Sequence, residues 1–233
     1  MKSIFVNFAC LLSFFGISAC ATRVPQPASP GRAELSARIR AKPDLAVLFV
    51  GNSYSFGVPK AFSKCAAGQG RKVRVGHATY GGWTLRKHAG NAATLQKIRD
   101  GRWDIIAIQE QSEIPAMAAG KRAAAMFPPL RQLVQEARQQ DAVPVLYQTW
   151  GRRDGDPKRR NDDFHAMTAR LRAGYQAAAA NAGGLVVIPV GDAWEREISA
   201  GRGGGLFMED GSHPTPRGDE LTAETFFAAF FRE

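Results

Sequence analysis

The feature that most constrains this chain is the alternation of short apolar segments, rich in β-branched residues, with segments of helical periodicity. The apolar segments predict strands at residues 45–50, 73–79, 104–108, 143–148 and 185–190. Helical patterns cover residues 85–98, 130–137 after a Pro-Pro start, 164–175 after an Asn161 or Asp162 N-cap, and 221–231. Near-continuous apolar strands that alternate with helices are typical of strands buried on both faces. The sequence therefore predicts an α/β fold, a doubly wound parallel sheet of about five strands with helices on both faces.

Polar and glycine residues follow the predicted strands where each strand ends. Ser53 comes just after the first strand, Gly81 and Gly82 follow the second, and residues 109–112 follow the third. Functional sites of open α/β sheets lie beyond the carboxyl ends of the strands, where these residues would meet. Asp210 and His213 stand just before the last predicted helix, and we expect them at the same edge of the sheet.

Ser53, Asp210 and His213 supply the nucleophile, carboxylate and base of a serine hydrolase. An imidazole takes the proton of a serine hydroxyl only if its tautomer is fixed and its charge is stabilised, and a carboxylate on the other ring nitrogen does both. A simple turn after a strand, and an N-cap beside a surface histidine, are the alternative interpretations of the two motifs. Rival residues for the same roles are Ser55, which would rather cap the following helix, Glu209 and Asp192.

Three short blocks carry a resemblance to a known superfamily. They are Gly51-Asn52-Ser53-Tyr54-Ser55, Tyr80-Gly81-Gly82-Trp83-Thr84, and Asp210-Gly211-Ser212-His213-Pro214 with Gly218. Over residues 45–231 the chain resembles the GDSL/SGNH hydrolases, which are flavodoxin-like serine esterases. The resemblance implies a triad of Ser53, His213 and Asp210, and an oxyanion hole that includes the backbone N–H groups of Ser53 and Gly82.

The chain departs from the superfamily pattern in two places. Asn52 stands where an aspartate usually precedes the serine, and residues 109–112 read Gln-Glu-Gln-Ser where Gly-x-Asn-Asp is usual. The resemblance implies that Gln111 takes the place of the oxyanion-hole asparagine, with Gln109 as second choice, because a glutamine amide is also an N–H donor. Glu110 receives no role from this comparison.

Three aromatic residues are candidates for the surroundings of the site. Trp83 and Trp150 are predicted at the same edge and could form a wall for a sugar or acyl chain, or pack as loop core. His88 is expected on a helix surface, with a place in the pocket as the alternative. No spacing of His, Cys, Asp and Glu predicts a metal site, and no glycine-rich loop has phosphate-binding form, so we expect no metal and no cofactor.

The first part of the chain has the pattern of an export signal. Lys2 precedes an apolar run that ends Ile17-Ser18-Ala19-Cys20, which resembles a bacterial lipobox. We therefore expect a signal peptide at residues 1–19, a lipidated Cys20 with a flexible tether at 20–42, and a catalytic domain at 43–233. Within the tether, the sequence allows one weak helical turn around residues 33–39. Ala21 after the cysteine favours sorting to the outer membrane, facing the periplasm. Cleavage after Ala19 or Ala21, giving a soluble secreted protein, is the alternative.

Cysteine content and charge narrow the possible partners. Of three cysteines, only Cys65 lies in the expected domain, in an apolar helical pattern, so we expect a small core residue and no disulfide. The net charge is +10, with a basic cluster at residues 152–160. No aromatic-interleaved basic platform predicts nucleic-acid binding, so the cluster is either attracted to anionic lipid or polysaccharide or simply solvated.

Together these observations predict a monomeric serine esterase that hydrolyses small acyl esters, with acetyl esters first, at the cell envelope. The expected partners are a small-molecule or glycan ester and the membrane, through the N-terminal lipid. An O-acyltransferase that uses the same triad is one alternative. A non-catalytic, envelope-tethered binding module is the other.

Overall fold

The computed structural model of the chain describes Met1 and residues 30–232, and its centre is a parallel sheet. The sheet has five strands in the order β2-β1-β3-β4-β5, all parallel. The strands are β1 (Leu45–Gly51), β2 (Val73–Thr79), β3 (Ile105–Ile108), β4 (Val143–Tyr147) and β5 (Val186–Ile188). The predicted doubly wound α/β fold is therefore confirmed, with each predicted strand present and differing only at its ends.

Helices cover both faces of the sheet. They are α1 (Pro30–Ala41), α2 (Val58–Gly68), α3 (Leu85–Ala89), α4 (Ala92–Asp100), α5 (Ala119–Gln139), α6 (Phe164–Asn181), α7 (Val190–Ser199) and α8 (Pro216–Phe231). Short 3-10 turns occur at Ser53–Ser55 and Ile114–Ala116. Side chains of β1 alternate between the two cores: Val47 and Phe49 pack with α1, α2, α7 and α8, while Leu48 and Val50 pack with α3 to α6. None of the described helices is long and apolar enough to cross a bilayer.

The folded domain begins before the predicted boundary at residue 43. Residues 30–41, expected to be part of a flexible tether, form helix α1, whose Leu35 is fully buried in the core. Arg38 of the same helix is 2.8 Å from a carboxylate oxygen of Asp141. The sequence signal is weak because two large apolar residues, Leu35 and Ile39, among arginines and small residues give little periodicity. The predicted signal peptide, Cys20 and residues 21–29 lie outside the described residues.

Helix α5 begins at Ala119, well before the predicted Pro-Pro start, and contains both prolines in its interior. A proline inside a helix removes an N–H donor and leaves the carbonyl four residues earlier without its partner. For Pro128 that carbonyl belongs to Ala124, and it accepts a hydrogen bond of 3.2 Å from the Arg86 side chain. A contact from a neighbouring helix thus replaces part of what the prolines remove.

Three smaller differences concern helix boundaries. The predicted helix over 85–98 is two helices, because Gly90 ends α3 and Asn91 caps α4 through a bond to the N–H of Thr94. Helix α6 is capped by Asp163, rather than by residue 161 or 162. Helix α7 had no counterpart in the sequence analysis. Cys65 of α2 is half-buried against the core, in agreement with a packing role.

Candidate active site

The structure brings Ser53, His213 and Asp210 together at the carboxyl edge of the sheet. The Oγ of Ser53 lies 2.9 Å from Nε2 of His213, and Nδ1 of His213 lies 2.5 Å from Oδ2 of Asp210. The other carboxylate oxygen of Asp210 accepts the backbone N–H groups of Ser212 and His213, each at 2.9 Å. Burial alone would raise the pKa of Asp210, but these hydrogen bonds from the ring and the backbone outweigh it and lower the pKa to about 2. An ionised carboxylate therefore faces the imidazole at neutral pH.

A backbone hydrogen bond closes the loop that carries Asp210 and His213. The N–H of Met208 donates to the carbonyl of His213 at 2.9 Å, and Gly211 adopts a φ of 65°, in the left-handed region that favours glycine. A β-carbon at Gly211 would stand 2.9 Å from a guanidinium nitrogen of Arg153. The loop therefore needs glycine at this position both for its backbone conformation and for the approach of Arg153.

The basic cluster of residues 152–160 lies against this site and is largely engaged in contacts within the protein. Arg153 donates to the backbone carbonyls of Met208 and Glu209. Arg152 and Lys158 both pair with Glu113, at 2.6 and 2.5 Å. The cluster is thus more than a solvated basic surface, because its cations connect the loop after β4 to the segments on either side of it.

The turn that presents Ser53 is fixed from below by Gln109. Its amide oxygen accepts the backbone N–H of Asn52 at 2.8 Å and the hydroxyl of Ser55 at 3.0 Å. The Asn52 side chain in turn accepts the N–H of Tyr54 and donates to the carbonyl of Trp83, which joins the serine turn to the glycine loop. Ser55 is buried and bonded to Gln109, so it neither competes as nucleophile nor caps α2, which begins after Gly57.

The predicted oxyanion-hole residues lie in three segments around this turn. Gly82 has a φ of 67° in an exposed turn that is closed by the N–H of Trp83 and the carbonyl of Tyr80. The side-chain oxygen of Gln111 accepts the N–H of Glu113 at 2.8 Å, and its amide nitrogen is 3.4 Å from the hydroxyl of Ser112. The oxygen of the Gln111 amide thus makes a hydrogen bond of normal length, whereas its nitrogen makes only a long contact within the described residues. The N–H groups of Gln111 are therefore more available to a substrate than its oxygen is.

Gln109, the second choice for the oxyanion hole, is occupied elsewhere. It is 1 % exposed, and its amide nitrogen donates to the carbonyl of Glu110. Both ends of its amide are therefore used inside the protein. The geometry favours Gln111 over Gln109, and the assignment of Gln111 to the oxyanion hole stays a prediction.

His88 is buried behind the nucleophile, so the expectation of a helix-surface histidine is wrong. Its Nε2 donates to the carbonyl of Gly51 at 2.9 Å, and its Nδ1 lies 3.2 Å from the hydroxyl of Thr94. Burial lowers the pKa of His88, which keeps the ring neutral. The signal that sequence analysis missed is Thr94, which stands one helix further on and becomes a partner only because α3 and α4 fold against each other.

The two tryptophans proposed as a substrate wall have different positions. Trp150 is fully buried between the rings of Tyr54 and Trp194, with ring centroids 4.9 and 3.8 Å away, and donates to the carbonyl of Ser212 at 3.1 Å. Trp150 is therefore core beneath the triad, so the structure favours the loop-core interpretation of this residue over the pocket wall. Trp83 is half-buried beside Gly82 and stacks on Tyr80 at 4.1 Å, so it remains a candidate for substrate contact.

Two exposed apolar side chains belong to the segments that carry Ser53 and His213. Phe56 is 56 % exposed, and its N–H donates to the carbonyl of Ser53. Met208 is 51 % exposed, and its N–H donates to the carbonyl of His213. Each of the two segments therefore presents an apolar side chain to solvent. Within the described residues no group of His, Cys, Asp and Glu has the arrangement of a metal site.

Comparison with known proteins identifies the fold. The sequence matches no protein-family profile and no curated protein. Solved structures do match: an SGNH hydrolase from Slackia heliotrinireducens is 26% identical with a TM-score of 0.62, over 78% of this chain and 97% of that one. A DUF4886 family protein from Bacteroides uniformis is 21% identical with a TM-score of 0.71, over 82% and 84%. A lipase/acylhydrolase from Enterococcus faecalis is 17% identical with a TM-score of 0.58, over 78% and 93%.

The matches cover 84% to 97% of those chains, with TM-scores between 0.58 and 0.71. The low sequence identity limits the comparison to architecture. The chain has the fold of the SGNH hydrolases.

Proposed function

We propose that this protein is a serine esterase that cleaves small acyl esters through an acyl-enzyme intermediate on Ser53. The observation that carries the proposal is the chain of two hydrogen bonds from Ser53 through His213 to Asp210, at 2.9 and 2.5 Å. Three residues in this order and geometry form the constellation that activates a serine hydroxyl. The similarity to an SGNH hydrolase and to a lipase/acylhydrolase supports the same reaction class.

In the proposed first step, Nε2 of His213 takes the proton of Ser53 while Oγ attacks the ester carbonyl. The imidazolium is stabilised by Asp210, whose low pKa keeps it ionised. The N–H groups of Ser53 and Gly82 and the amide of Gln111 are proposed to hold the oxyanion. The alcohol then leaves with the proton from His213, and water repeats the sequence to release the acid.

A small acyl group, with acetyl first, is our proposal for the substrate. Bulky rings border the glycine loop: the edge of Phe56 lies 3.9 Å from where a β-carbon on Gly81 would stand, and Trp83, within the loop, stacks on Tyr80. These rings would restrict a long acyl chain next to Ser53. A series of activated esters from acetate to octanoate tests this, and turnover that rises with chain length would contradict it.

An assay with and without a sugar acceptor separates the alternative functions. Wild-type protein is incubated with an activated acetate ester, with and without a sugar acceptor, and Ser53→Ala is the control. Acetate released at equal rates in both conditions supports hydrolysis, whereas acetylated sugar at the expense of acetate indicates an acyltransferase. No turnover in the wild type would favour the binding module, whereas turnover that survives in Ser53→Ala would exclude Ser53 as the nucleophile.

We further propose that the protein is anchored at the cell envelope through a lipid on Cys20. The support is the apolar run that ends Ile17-Ser18-Ala19-Cys20. Since α1 belongs to the domain, the connection is residues 20–29, which reach at most about 35 Å when extended. Cys20→Ser should move the protein out of the membrane fraction with its esterase activity unchanged. An unmodified N-terminus beyond Cys20 in mass spectrometry would reject the anchor.

A further inference from the structure

Glu110 is a buried carboxyl group that the proposed reaction does not use. It follows β3 and is 0% exposed. Its Oε1 accepts two backbone N–H groups, from Leu85 at 3.0 Å and from Gln111 at 2.7 Å. Its Oε2 is buried without a hydrogen-bond partner among the described residues. A carboxylate in such a position is costly unless its charge serves the bonds that it makes.

The two N–H groups belong to the two segments that carry the proposed oxyanion donors. Leu85 begins α3, directly after the loop of Gly82, and Gln111 carries the amide itself. One oxygen atom of Glu110 therefore holds both segments at once. A hydrogen bond to an ionised carboxylate is about twice as strong as one to a neutral acceptor, so the strength of this connection depends on the charge of Glu110.

In the described chain, helices α3 and α6 each bring a charged or titratable group to Glu110. Arg86 of α3 acts on it through its charge, and the hydroxyl of Tyr175 on α6 accepts the N–H of Glu110 at 3.3 Å. Burial raises the pKa of Glu110 to about 7, against the bonds from Gln111 and Leu85 and the charge of Arg86, which lower it. Tyr175 has its pKa raised by burial and stays protonated, and the lowered pKa of His88 keeps that ring neutral. A change near neutral pH in this region therefore points to Glu110.

We propose that Glu110 is a positioning residue whose ionised carboxylate clamps the Gly82 loop to the Gln111 segment and so sets the geometry of the oxyanion hole. The inference rests on the proposed esterase function. Small displacements of oxyanion donors have large kinetic effects because these contacts are made mainly in the transition state. Protonation of Glu110 should therefore lower kcat and leave KM nearly unchanged.

The catalytic test compares kcat of the wild type with kcat of Glu110→Gln across pH, using an activated acetate ester. The ratio of the two removes every pH effect on kcat that both proteins share. We expect a ratio near one at pH 5.5 that rises to about tenfold at pH 8.5, with equal KM values. Glu110→Asp, which keeps the charge but shortens the side chain, should recover part of the rise. A ratio that does not change with pH would overturn the proposal.

Asp219→Asn is the matched control. Burial also raises the pKa of Asp219 to about 7, but no hydrogen bond joins Asp219 to the Gly82 or Gln111 segment in the described chain. Asp219→Asn should change the pH dependence of stability in the same direction as Glu110→Gln does, but without affecting the oxyanion hole. The kcat ratio of wild type to Asp219→Asn should therefore stay constant with pH. A similar rise in both ratios would assign the effect to stability and overturn the clamp.

A second measurement does not depend on activity. In the wild type, the amide proton resonances of Leu85 and Gln111 should move together with one midpoint near pH 7, and in Glu110→Gln neither should titrate there. Separate midpoints, or none, would reject the clamp whatever the kinetics. The amide titration does not require activity, so it tests the clamp separately from the proposed function. If the wild type showed no hydrolysis that depends on Ser53, the proposed function would be rejected instead of the clamp.

Discussion

The guanidinium of Arg153 donates a hydrogen bond of 2.8 Å to the backbone carbonyl of Glu209, the residue before the proposed triad carboxylate. A second bond runs from the same nitrogen to the carbonyl of Met208 at 3.3 Å, and the N–H of Arg153 donates to Gly211 at 2.8 Å. Arg153 therefore contacts the loop of Asp210 and His213 at three points. The loop is positioned by the segment after β4 rather than by its own turn alone.

The first prediction concerns this contact. Arg153→Ala should lower kcat for an activated acetate ester by about ten- to a hundredfold, because the loop loses the bonds that hold it in register with Ser53. KM should change little. Arg160→Ala is the control, since Arg160 is an exposed arginine of the same basic cluster. Equal activity of the two variants would show that the loop holds its geometry without Arg153.

The second prediction separates a hydrogen-bond donor from a structural amide at position 111. Gln111→Glu keeps the oxygen that accepts the N–H of Glu113 but removes the N–H donors and adds negative charge. Its kcat should fall by about 10²–10³ or more, while Gln111→Ala should fall by about 10²–10³ with little change in KM. Gln111→Asn should recover part of the loss. Wild-type turnover in Gln111→Glu would exclude Gln111 from the oxyanion hole.

Gln109→Ala tests whether Gln109 supports the serine turn from within the protein rather than donating to the substrate. Because Gln109 holds Asn52 and Ser55 from within the core, its removal should lower the free energy of unfolding as well as kcat. Gln111 is half-buried, so its variants should unfold in urea near the wild-type midpoint. This difference in stability distinguishes a supporting amide from a donor to the substrate.

The third prediction concerns Asp219, whose carboxyl group fills the space above Gly57: a β-carbon on Gly57 would lie 1.8 Å from Oδ2. Burial raises the pKa of Asp219 from 3.8 to about 7. Since the folded-state pKa is above the unfolded one, the stability that this group contributes is complete below pH about 4 and is lost as pH rises through about 7. Asp219→Asn should therefore be more stable than the wild type at pH 8.5, by on the order of 1–2 kcal/mol after allowance for solvent screening, and by clearly less at pH 5.

Urea unfolding at the two pH values checks this prediction. Glu220→Gln is the matched control, because Glu220 is the exposed neighbour on α8 and its ion pair within the described residues is a 3.8 Å contact with Lys64. Its difference from the wild type should be small and the same at both pH values. An Asp219→Asn variant without a pH-dependent gain would show that the carboxyl group is solvated in solution.

The sequence was sufficient for the sheet because each strand is a local run of apolar residues that is long enough to be read without knowledge of its neighbours. The same holds for Ser53 and His213, which follow from short motifs and from the rule that parallel strands end at one edge. The structure places their side chains 2.9 Å apart, from positions far apart in the chain. Local pattern and topology together were enough for this pair.

The errors, and the alternatives that the sequence left open, concern residues whose environment is set by distant parts of the chain. Leu35 is buried only because the sheet face accepts α1, and Trp150 is core only because Tyr54 and Trp194 stack on its two faces. Pro128 lies inside a helix because Arg86, on another helix, satisfies the carbonyl that it frees. None of these contacts leaves a periodic or motif signal near the residue concerned.

The most direct test of the account is covalent labelling of the nucleophile. Wild-type protein, Ser53→Ala and His213→Ala are treated with a fluorophosphonate, and the adduct is mapped by peptide mass spectrometry. Because the 2.9 Å bond from Ser53 to His213 is what activates the hydroxyl, we predict a single adduct on Ser53 in the wild type and none in either variant. An adduct on another residue, or labelling of Ser53 that persists in His213→Ala, would contradict the proposed triad.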